Sequence, residues 1–236
     1  MMRAALERLD GMLMTSLPVD LTPGWLRLVR GQYAAENALM YLRVARWLAV
    51  NEVEGDVFEF GVGSGASFCL IYRYLERTDA RHSRRFFLFD SFEGLPESPA
   101  GDQHPQWKQG RWSYDQSFVL ARSQRYGIDP CRVVMVPGYY EASLASELAS
   151  RLNTTRVALL HIDCDLFSSA KAALGFVTPY VQDGTVVLLD DYFCYSGNPK
   201  RGEAAAFREW CQANSVEAVQ WQPYSLHGNS YLLTIR

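Results

Sequence analysis

The sequence predicts an α/β fold: a Rossmann-like, seven-stranded, mostly parallel sheet with helices on both faces and a C-terminal antiparallel hairpin. Three observations support this prediction. From residue 51 onward short apolar runs alternate with amphipathic stretches, which is the pattern of βαβ units. The first apolar run breaks into a glycine-rich turn, Gly61 to Gly65, that opens a helix. The last two runs are joined only by Ser225–Asn229, which is too short for a parallel crossover and therefore predicts a hairpin.

Each element follows from local periodicity and its bounding turn residues. The predicted strands are Asp56–Val62, Arg85–Ser91, Val133–Pro137, Val157–Asp163, Thr185–Asp191, Val216–Tyr224 and Ser230–Arg236. The predicted helices are Ala66–Arg77, Ala142–Leu152, Ser168–Val181 and Gly202–Ala213. Residues 1–50 have apolar side chains at helical spacing, in two segments separated by Pro18 and Pro23. We expect an N-terminal helical arm or lid over residues 1–50 and one α/β domain over residues 51–236.

Residues 92–132 form a long insertion between the second and third predicted strands, rich in Gly, Pro, Trp and Tyr. A loop this long is uncommon unless it is functional, so we predict an active-site flap with one helix near Ser117–Tyr126. Large aromatic side chains here and after the third strand are able to stack on adenine or a substrate ring, and core packing accounts for any single one equally well. They are Trp107, Trp112, Tyr114, Tyr139 and Tyr140.

Composition excludes several classes of function. The 236 residues are 48% hydrophobic, which suits one domain with a sizeable core, and the net charge of −3 predicts no nucleic-acid partner. No apolar run reaches the roughly 18 residues of a membrane span, and Met1–Asp20 lacks the apolar run of a signal peptide. The five cysteines are scattered without Cys-x-x-Cys spacing. We therefore expect free thiols in a cytoplasmic protein with no membrane partner.

The glycine turn indicates the ligand class. Glycines at alternate positions allow the backbone to approach a ligand closely, and Glu59 lies two residues before the first of them. An acid there would repel pyrophosphate but suits S-adenosylmethionine (SAM), which carries an ammonium and a sulfonium. The spacing Gly-x-Gly-x-Gly, rather than Gly-x-Gly-x-x-Gly, also disfavours an NAD-dependent oxidoreductase. A tight turn that binds nothing remains the alternative.

Acidic side chains follow four predicted strands, and the carboxyl ends of parallel strands meet at one edge of a sheet. That many carboxylates repel unless a cation compensates, and hard oxygen ligands suit Mg²⁺ or another divalent cation. An acid at the end of the second strand can accept hydrogen bonds from ribose hydroxyls. The acids are Glu59, Asp90, Asp163, Asp165, Asp190 and Asp191.

These acids have competing interpretations. Asp163, Asp190 and Asp191 are predicted to share the metal ion, and a solvated strand end is the alternative for the Asp190–Asp191 pair. Asp165 is either a general base for a hydroxyl proton or the N-cap of the following helix. His161 lies inside an apolar run, which favours a core or supporting histidine over a metal ligand. His104 and His227 lie in loops, where they could face substrate.

Together these motifs resemble the macrocin O-methyltransferase family, which includes the mycinamicin and novobiocin sugar O-methyltransferases, over roughly residues 30–215. The tracts that carry the resemblance are Phe58–Gly65, Leu88–Pro96, His161–Ser169 and Leu189–Tyr192. The resemblance implies a class I SAM-dependent methyltransferase fold with a divalent metal, usually Mg²⁺. It implies that Asp163, Asp190 and Asp191 are the metal ligands and that Asp165 matches the proposed base. The chain departs from the family at Cys164 and at Leu166–Ser169, where the family usually has a small residue and then Leu-Tyr-Glu-Ser.

The sequence thus predicts a SAM- and Mg²⁺-dependent O-methyltransferase of secondary metabolism that acts on a small-molecule hydroxyl. The resemblance implies a sugar of a glycosylated natural product, as in antibiotic biosynthesis, and a homo-oligomer; a catechol-like diol is a second acceptor class. An NAD-dependent oxidoreductase and a non-catalytic SAM- or metal-binding module are the rival functions. The predicted cofactor contacts are Glu59, Phe60, Gly61, Gly63, Ser67, Asp90, Ser91, Gly138, Tyr139 and Asp163.

Overall fold

The structure is a computed structural model that describes residues 24–79, 82–144, 148, 152–154 and 156–235. Its strands are β1 (Asp56–Phe60), β2 (Phe86–Asp90), β3 (Val133–Pro137), β4 (Val157–Ile162), β5 (Val186–Leu189), β6 (Val216–Tyr224) and β7 (Gly228–Ile235). Its helices are α1 (Gly24–Val50), α2 (Ala66–Thr78), α3 (Gln116–Arg125), α4 (Tyr140–Ser143), α5 (Phe167–Val177) and α6 (Gly202–Ala213). All seven predicted strands are confirmed.

The helices predicted over Ala66–Arg77 and Gly202–Ala213 are confirmed. The helix predicted over Ser168–Val181 ends at Val177 and continues as a 3-10 turn, Thr178–Tyr180, because Pro179 has no amide to donate and cannot extend the α-helical ladder. Most of the helix predicted over Ala142–Leu152 lies outside the described residues, as does the segment 1–23 of the predicted N-terminal arm. The predicted flap helix is α3.

The sheet has the strand order β3-β2-β1-β4-β5-β7-β6. The first five strands in this order pair in parallel, and β7 lies antiparallel to both β5 and β6, as the short connection predicted. The order in which successive strands are added to the sheet switches from one side of β1 to the other between β1 and β4. Open α/β sheets bind ligands at such a switch point. The acids that follow these strands therefore converge at one edge.

Alternate residues of each strand face opposite sides of the sheet, and each side has its own apolar cluster. Phe58, Phe60 and Phe89 face α5 and α6, and the rings of Phe60 and Phe89 stack 4.3 Å apart. The other side packs against α1 and α2, so the helices cover both faces. None of the helices in the described ranges is long and apolar enough to cross a membrane.

Helix α1 belongs to the second cluster. Met40, Tyr41, Val44 and Leu48 are buried there against α2 and the sheet. The second half of α1 therefore contributes to the packing that holds the sheet, while the domain boundary at residue 50 stays a prediction. All five cysteines are free thiols, as predicted.

Candidate active site

The glycine turn after β1 touches the end of β4. Gly61 has a φ of 85°, and a Cβ built on it would lie 1.7 Å from the carbonyl oxygen of Asp163. Only glycine permits this approach. Gly63 has a φ of 48°, and a Cβ there would meet no other atom of the described residues within 4 Å. The turn is thus packed against the sheet at Gly61 and open at Gly63, as a cofactor cradle requires.

Asp90, at the end of β2, holds the glycine turn in place. Its Oδ2 accepts hydrogen bonds from the backbone amides of Val62 (2.7 Å) and Gly63 (2.9 Å). Its Oδ1 accepts one from the amide of Phe92, 2.7 Å away. The Asp90 carboxylate therefore holds both the open side of the glycine turn and the start of the flap. Its contact with ribose hydroxyls stays a prediction.

Glu59 lies buried beneath the turn. Its Oε1 accepts a hydrogen bond from the hydroxyl of Ser67 in the first turn of α2 and lies 3.4 Å from Nδ1 of His161 on β4. Its Oε2 is buried without a hydrogen-bond partner in the described structure. Because the exposed fraction of Glu59 is 0%, its carboxylate acts on a ligand at the sheet edge through its charge rather than through direct contact.

His161 is a core residue, as predicted. It is fully buried, and its ring packs in a T-shaped arrangement with the ring of Tyr41, with the two ring centroids 5.7 Å apart. Burial alone would lower the pKa of His161, but the carboxylates of Glu59 and Asp190 outweigh it and raise that pKa. The histidine therefore links α1 to the carboxylates at the sheet edge.

The remaining predicted cofactor contacts lie along the same edge. The Phe60 side chain is buried in the core, so only its backbone is available to a ligand. The Ser91 hydroxyl closes a tight turn, donating to the carbonyl of Gly94 at 2.9 Å and accepting from the amide of Glu93 at 3.1 Å. The amide of Gly138 donates to the carbonyl of Asp90 at 2.9 Å, and Tyr139 immediately precedes α4.

Four acids cluster where β4 and β5 end. The ladder continues past both strands, since the amide of Asp163 donates to the carbonyl of Phe60 (2.8 Å) and that of Asp190 to the carbonyl of Ile162 (2.9 Å). Asp190 and Asp191 are each 7% exposed, so the interpretation of this pair as a solvated strand end is wrong. In the part of the chain that the structure describes, none of these acids forms an ion pair with Lys or Arg.

The electrostatics of this cluster are unfavourable without a cation. Burial and the charges of Asp190 and Asp191 raise the pKa of Asp163 well above its usual range. Burial and the neighbouring Asp163 do the same to the pKa of Asp165. Burial and the charge of Asp165 likewise raise the pKa of Asp191. The acids therefore share protons or a cation rather than ionising independently.

The donor chemistry of the cluster fits a divalent cation. All the side chains offer carboxylate oxygens, which hard cations prefer, and Oδ1 of Asp190 is buried with no hydrogen-bond partner among the described residues. Within the same residues, no three His, Cys, Asp or Glu side chains are gathered so as to hold a metal ion. A shared ion therefore requires at least one of these acids to adopt another rotamer.

Asp165 does not cap the following helix. The first free amides of α5, those of Phe167 and Ser168, donate to Oδ1 and Oδ2 of Asp102 at 3.0 Å each. Asp165 has a φ of 63° and places its carboxyl beside that of Asp191, with which it shares a hydrogen bond. The N-cap interpretation of Asp165 is therefore wrong, and its role as a base stays a prediction.

The flap contributes Asp102, which the sequence analysis missed. Asp102 is 3% exposed, and its carbonyl accepts a hydrogen bond from the hydroxyl of Tyr195 at 2.8 Å. Leu95 and Trp107 of the flap pack with Leu166 and Tyr195 in a small apolar cluster. The flap is thus docked on the segment that carries Asp165.

The flap also touches the glycine turn and lines a cavity that is open to solvent. Arg122 of α3 donates to the hydroxyl of Ser64 at 2.9 Å. A cavity of about 500 Å³ opens within the flap, and His104 and Trp107 line it. Tyr140 packs into the core against Phe60, at 5.6 Å between rings, so core packing is the correct account for this aromatic side chain.

Helix α1 supplies a second contact that the sequence analysis missed. The Tyr33 hydroxyl donates to Oδ2 of Asp190 at 2.8 Å. Tyr33, Asn37 and Tyr41 recur one helical turn apart, and this stripe was the available sequence signal. The N-terminal helix therefore reaches the acid cluster directly.

Replacing Asp102 by Ala is expected to destabilise the protein by about 1 kcal/mol, because it removes the cap of α5. The turnover number is expected to fall as well, since the flap loses its tie to the segment that carries Asp165. Urea denaturation and steady-state kinetics measure the two effects. Asp115→Ala is the matched control, because Asp115 caps α3 within the flap by accepting from the Ser117 amide at 2.7 Å. It should lower the melting temperature without lowering turnover, and an Asp102→Ala protein of unchanged stability would contradict this account.

The sequence is similar to a methyltransferase family and to two individual O-methyltransferases. The macrocin-O-methyltransferase (TylF) family model matches residues 36–220. The chain is 31% identical over 177 residues to the 8-demethyl-8-(2,3-dimethoxy-alpha-L-rhamnosyl)-tetracenomycin-C 4'-O-methyltransferase of Streptomyces olivaceus, covering 72% of this chain and 61% of that protein. It is 28% identical over 148 residues to the demethyldecarbamoylnovobiocin O-methyltransferase of Streptomyces niveus, covering 60% and 54%. The chain thus spans less than two thirds of the length of either relative.

A solved O-methyltransferase structure shares the fold. The structure superimposes on that of the O-methyltransferase NovP with a TM-score of 0.71 and 21% sequence identity, covering 85% of this chain and 80% of that one. The predicted methyltransferase fold is therefore confirmed. The match over residues 36–220 includes the glycine turn and all four acids of the cluster. The chain belongs to the macrocin O-methyltransferase family.

Proposed function

We propose that this protein is a SAM-dependent O-methyltransferase that acts on a hydroxyl of a small molecule, a sugar of a glycosylated natural product. The observation that carries the proposal is the meeting, at one sheet edge, of a glycine turn open at Gly63 and an acid cluster after β4 and β5 in which Asp165, Asp190 and Asp191 are buried. Family membership supports the reaction. The names of the two relatives support the acceptor class, since one contains a rhamnosyl group and both denote O-methyltransferases.

The cofactor is proposed to lie over the glycine turn. Gly61 and Gly63 admit it closely, and Asp90 holds the turn in shape through the amides of Val62 and Gly63. The buried charge of Glu59 lies beneath the turn and favours a cationic ligand there. Phe60, Ser67, Ser91, Gly138, Tyr139 and Asp163 complete the proposed cofactor site.

A divalent cation, Mg²⁺ in the first instance, is proposed to be held by Asp163, Asp190 and Asp191, where it would lower the pKa of an acceptor hydroxyl. Asp165 then takes the hydroxyl proton. Burial raises the pKa of Asp165, so its carboxylate is a stronger base than that of an exposed aspartate. When bound, SAM would supply the methyl group: the acceptor oxygen would bond to its methyl carbon as the carbon–sulfur bond breaks, with S-adenosylhomocysteine as the leaving group. Positioning of the two substrates supplies much of the acceleration.

Calorimetric titration with SAM, and separately with NAD, tests the cofactor assignment. We expect SAM to bind and NAD not to bind. Asp90→Ala is expected to lose about 1–3 kcal/mol of SAM binding, because hydrogen bonds to a charged acceptor have this value and the turn loses its support. Glu93→Ala, which removes an exposed acid of the same loop, is the control and should bind SAM normally. Unchanged SAM affinity in Asp90→Ala would contradict the site, and NAD binding in place of SAM would replace methyl transfer with hydride transfer.

The acceptor class has its own test. Incubation of the wild-type protein with methyl-labelled SAM and a panel of glycosides and catechols should transfer label to a sugar hydroxyl. Transfer only to a catechol would keep the reaction and replace the acceptor class. A protein that binds SAM and labels no acceptor, with or without Mg²⁺, would be a binding module.

A further inference from the structure

Glu203, in the first turn of α6, is a buried acid that the proposed chemistry does not use. Its side chain has an exposed fraction of 0%. Its Oε1 accepts a hydrogen bond from the backbone amide of Cys164 at 3.2 Å, and its Oε2 accepts one from the backbone amide of Asp191 at 3.0 Å. Each carboxylate oxygen is therefore committed to a different segment of chain.

These two segments carry all four acids of the cluster. Cys164 lies between Asp163 and Asp165 after β4, and Asp191 follows Asp190 after β5. Among the described residues, the last backbone hydrogen bond that joins the two segments runs from the amide of Asp190 to the carbonyl of Ile162 at 2.9 Å, and no backbone bond ties Cys164 or Asp165 to Asp191 beyond it. The Glu203 carboxylate bridges them at that point and so sets the distance between their backbones.

The cost of this arrangement argues for a specific role. The residues that follow Glu203 in the helix are apolar, with Ala204, Ala206 and Phe207 buried beside it. Burial and the charge of Asp191 raise the pKa of Glu203 well above its usual range, so the position is an unfavourable one for a carboxylate. Packing alone would be satisfied by an apolar residue of similar size. An apolar residue cannot accept hydrogen bonds from two backbone amides on separate segments, whereas Glu203 does.

We propose that Glu203 is a positioning residue that holds the Asp163–Asp165 and Asp190–Asp191 segments at the spacing at which their carboxylates share one divalent cation. It acts through the backbone of Cys164 and Asp191 and contacts neither the cation nor the substrate. This inference rests on the proposed function, because the shared cation is part of it. It goes beyond that function in assigning the geometry of the cation site to an acid outside the strand ends.

Glu203→Gln is the direct test. The substitution keeps the size of the side chain but replaces one acceptor oxygen with an amide group, so one of the two ties is lost. Titration calorimetry of the full chain with Mg²⁺, repeated with Mn²⁺, is expected to show affinity reduced by about 10–100-fold, the usual effect of removing a group that orients metal ligands. The affinity for SAM should stay within about twofold, since the glycine turn is untouched and Asp163 is the single proposed cofactor contact on the segments that Glu203 holds. A role in packing alone would not separate these two affinities.

Glu209→Gln is the matched control. It makes the same change on the same helix, at an exposed side chain paired with Lys171 at 3.2 Å. It should change neither affinity. Glu203→Asp keeps the charge and both oxygens but is one methylene shorter, so it cannot reach both amides. Glu203→Asp should therefore also weaken cation binding. It replaces Glu203→Gln in the titration if the Gln variant does not melt cooperatively.

The outcomes separate the inference from the function on which it rests. A folded Glu203 variant that binds Mg²⁺ and Mn²⁺ as tightly as the wild type overturns the inference alone. A wild-type protein that binds SAM but neither cation overturns the proposed metal and the inference with it, while methyl transfer survives. A wild-type protein that binds no SAM overturns the proposed function itself.

Discussion

Replacing Asp165 by Asn is expected to lower kcat by about 10²–10⁴-fold, the usual size of general-base catalysis, with almost no change in stability. The amide cannot take a proton, yet it has the shape of the carboxyl. Asn also tolerates the left-handed backbone conformation at this position, where φ is 63°. Asp102, not Asp165, caps α5, so no cap is lost. Steady-state kinetics and the melting temperature measure the two quantities.

Asp183→Asn is the control for this variant. Asp183 lies just before β5, at the opposite edge of the sheet, where its carboxylate accepts from the amide of Ile235 at 2.7 Å. The control should retain full turnover. A fully active Asp165→Asn enzyme would end the base hypothesis.

Removal of divalent cations with a chelator is expected to abolish turnover, and added Mg²⁺ should restore it. The physical reason is that the buried acids of the cluster have no cationic partner among the described side chains, and the acceptor hydroxyl needs its pKa lowered. SAM binding should largely survive, because the glycine turn does not depend on the cation. Kinetics and SAM calorimetry in excess chelator measure both. Full activity there would make Asp163, Asp190 and Asp191 structural residues.

The same cation should stabilise the fold in a pH-dependent way. Burial and mutual repulsion raise the pKa of Asp163, Asp165 and Asp191 in the folded state. Groups with raised folded pKa values contribute stability at low pH that is lost as the pH rises through those values. The cation-free protein should therefore lose stability as the pH rises above the ordinary aspartate range. Mg²⁺ should raise the melting temperature more at pH 8 than at pH 5, because protons compete with it at low pH. Equal stabilisation at both values would contradict a site built from these acids.

Local pattern was sufficient for much of the fold. The bounds of Val133–Pro137, Val216–Tyr224 and Gly202–Ala213 are the same in the prediction and in the structure. These segments have a clear apolar period and distinct turn residues at both ends, so neighbouring residues alone decide them. The convergence of acids after β4 and β5 was also predictable, since parallel strands necessarily end at one edge.

The sequence by itself determined the strand–turn–helix order, the glycine turn and the identity of the acids, because each depends on residues close together in the chain. Only the tertiary structure decided what each acid does for its neighbours. A local pattern is satisfied equally by Asp165 as cap or as base, and the structure excludes the cap alone, because Asp102, which lies 65 residues before Phe167, accepts from the Phe167 amide instead. Tyr33 reaches Asp190 across 157 residues, and Glu203 reaches Cys164 across 39. Such pairings depend on how the flap, α1 and α6 pack against the sheet, and no periodicity within any one of these segments specifies that packing.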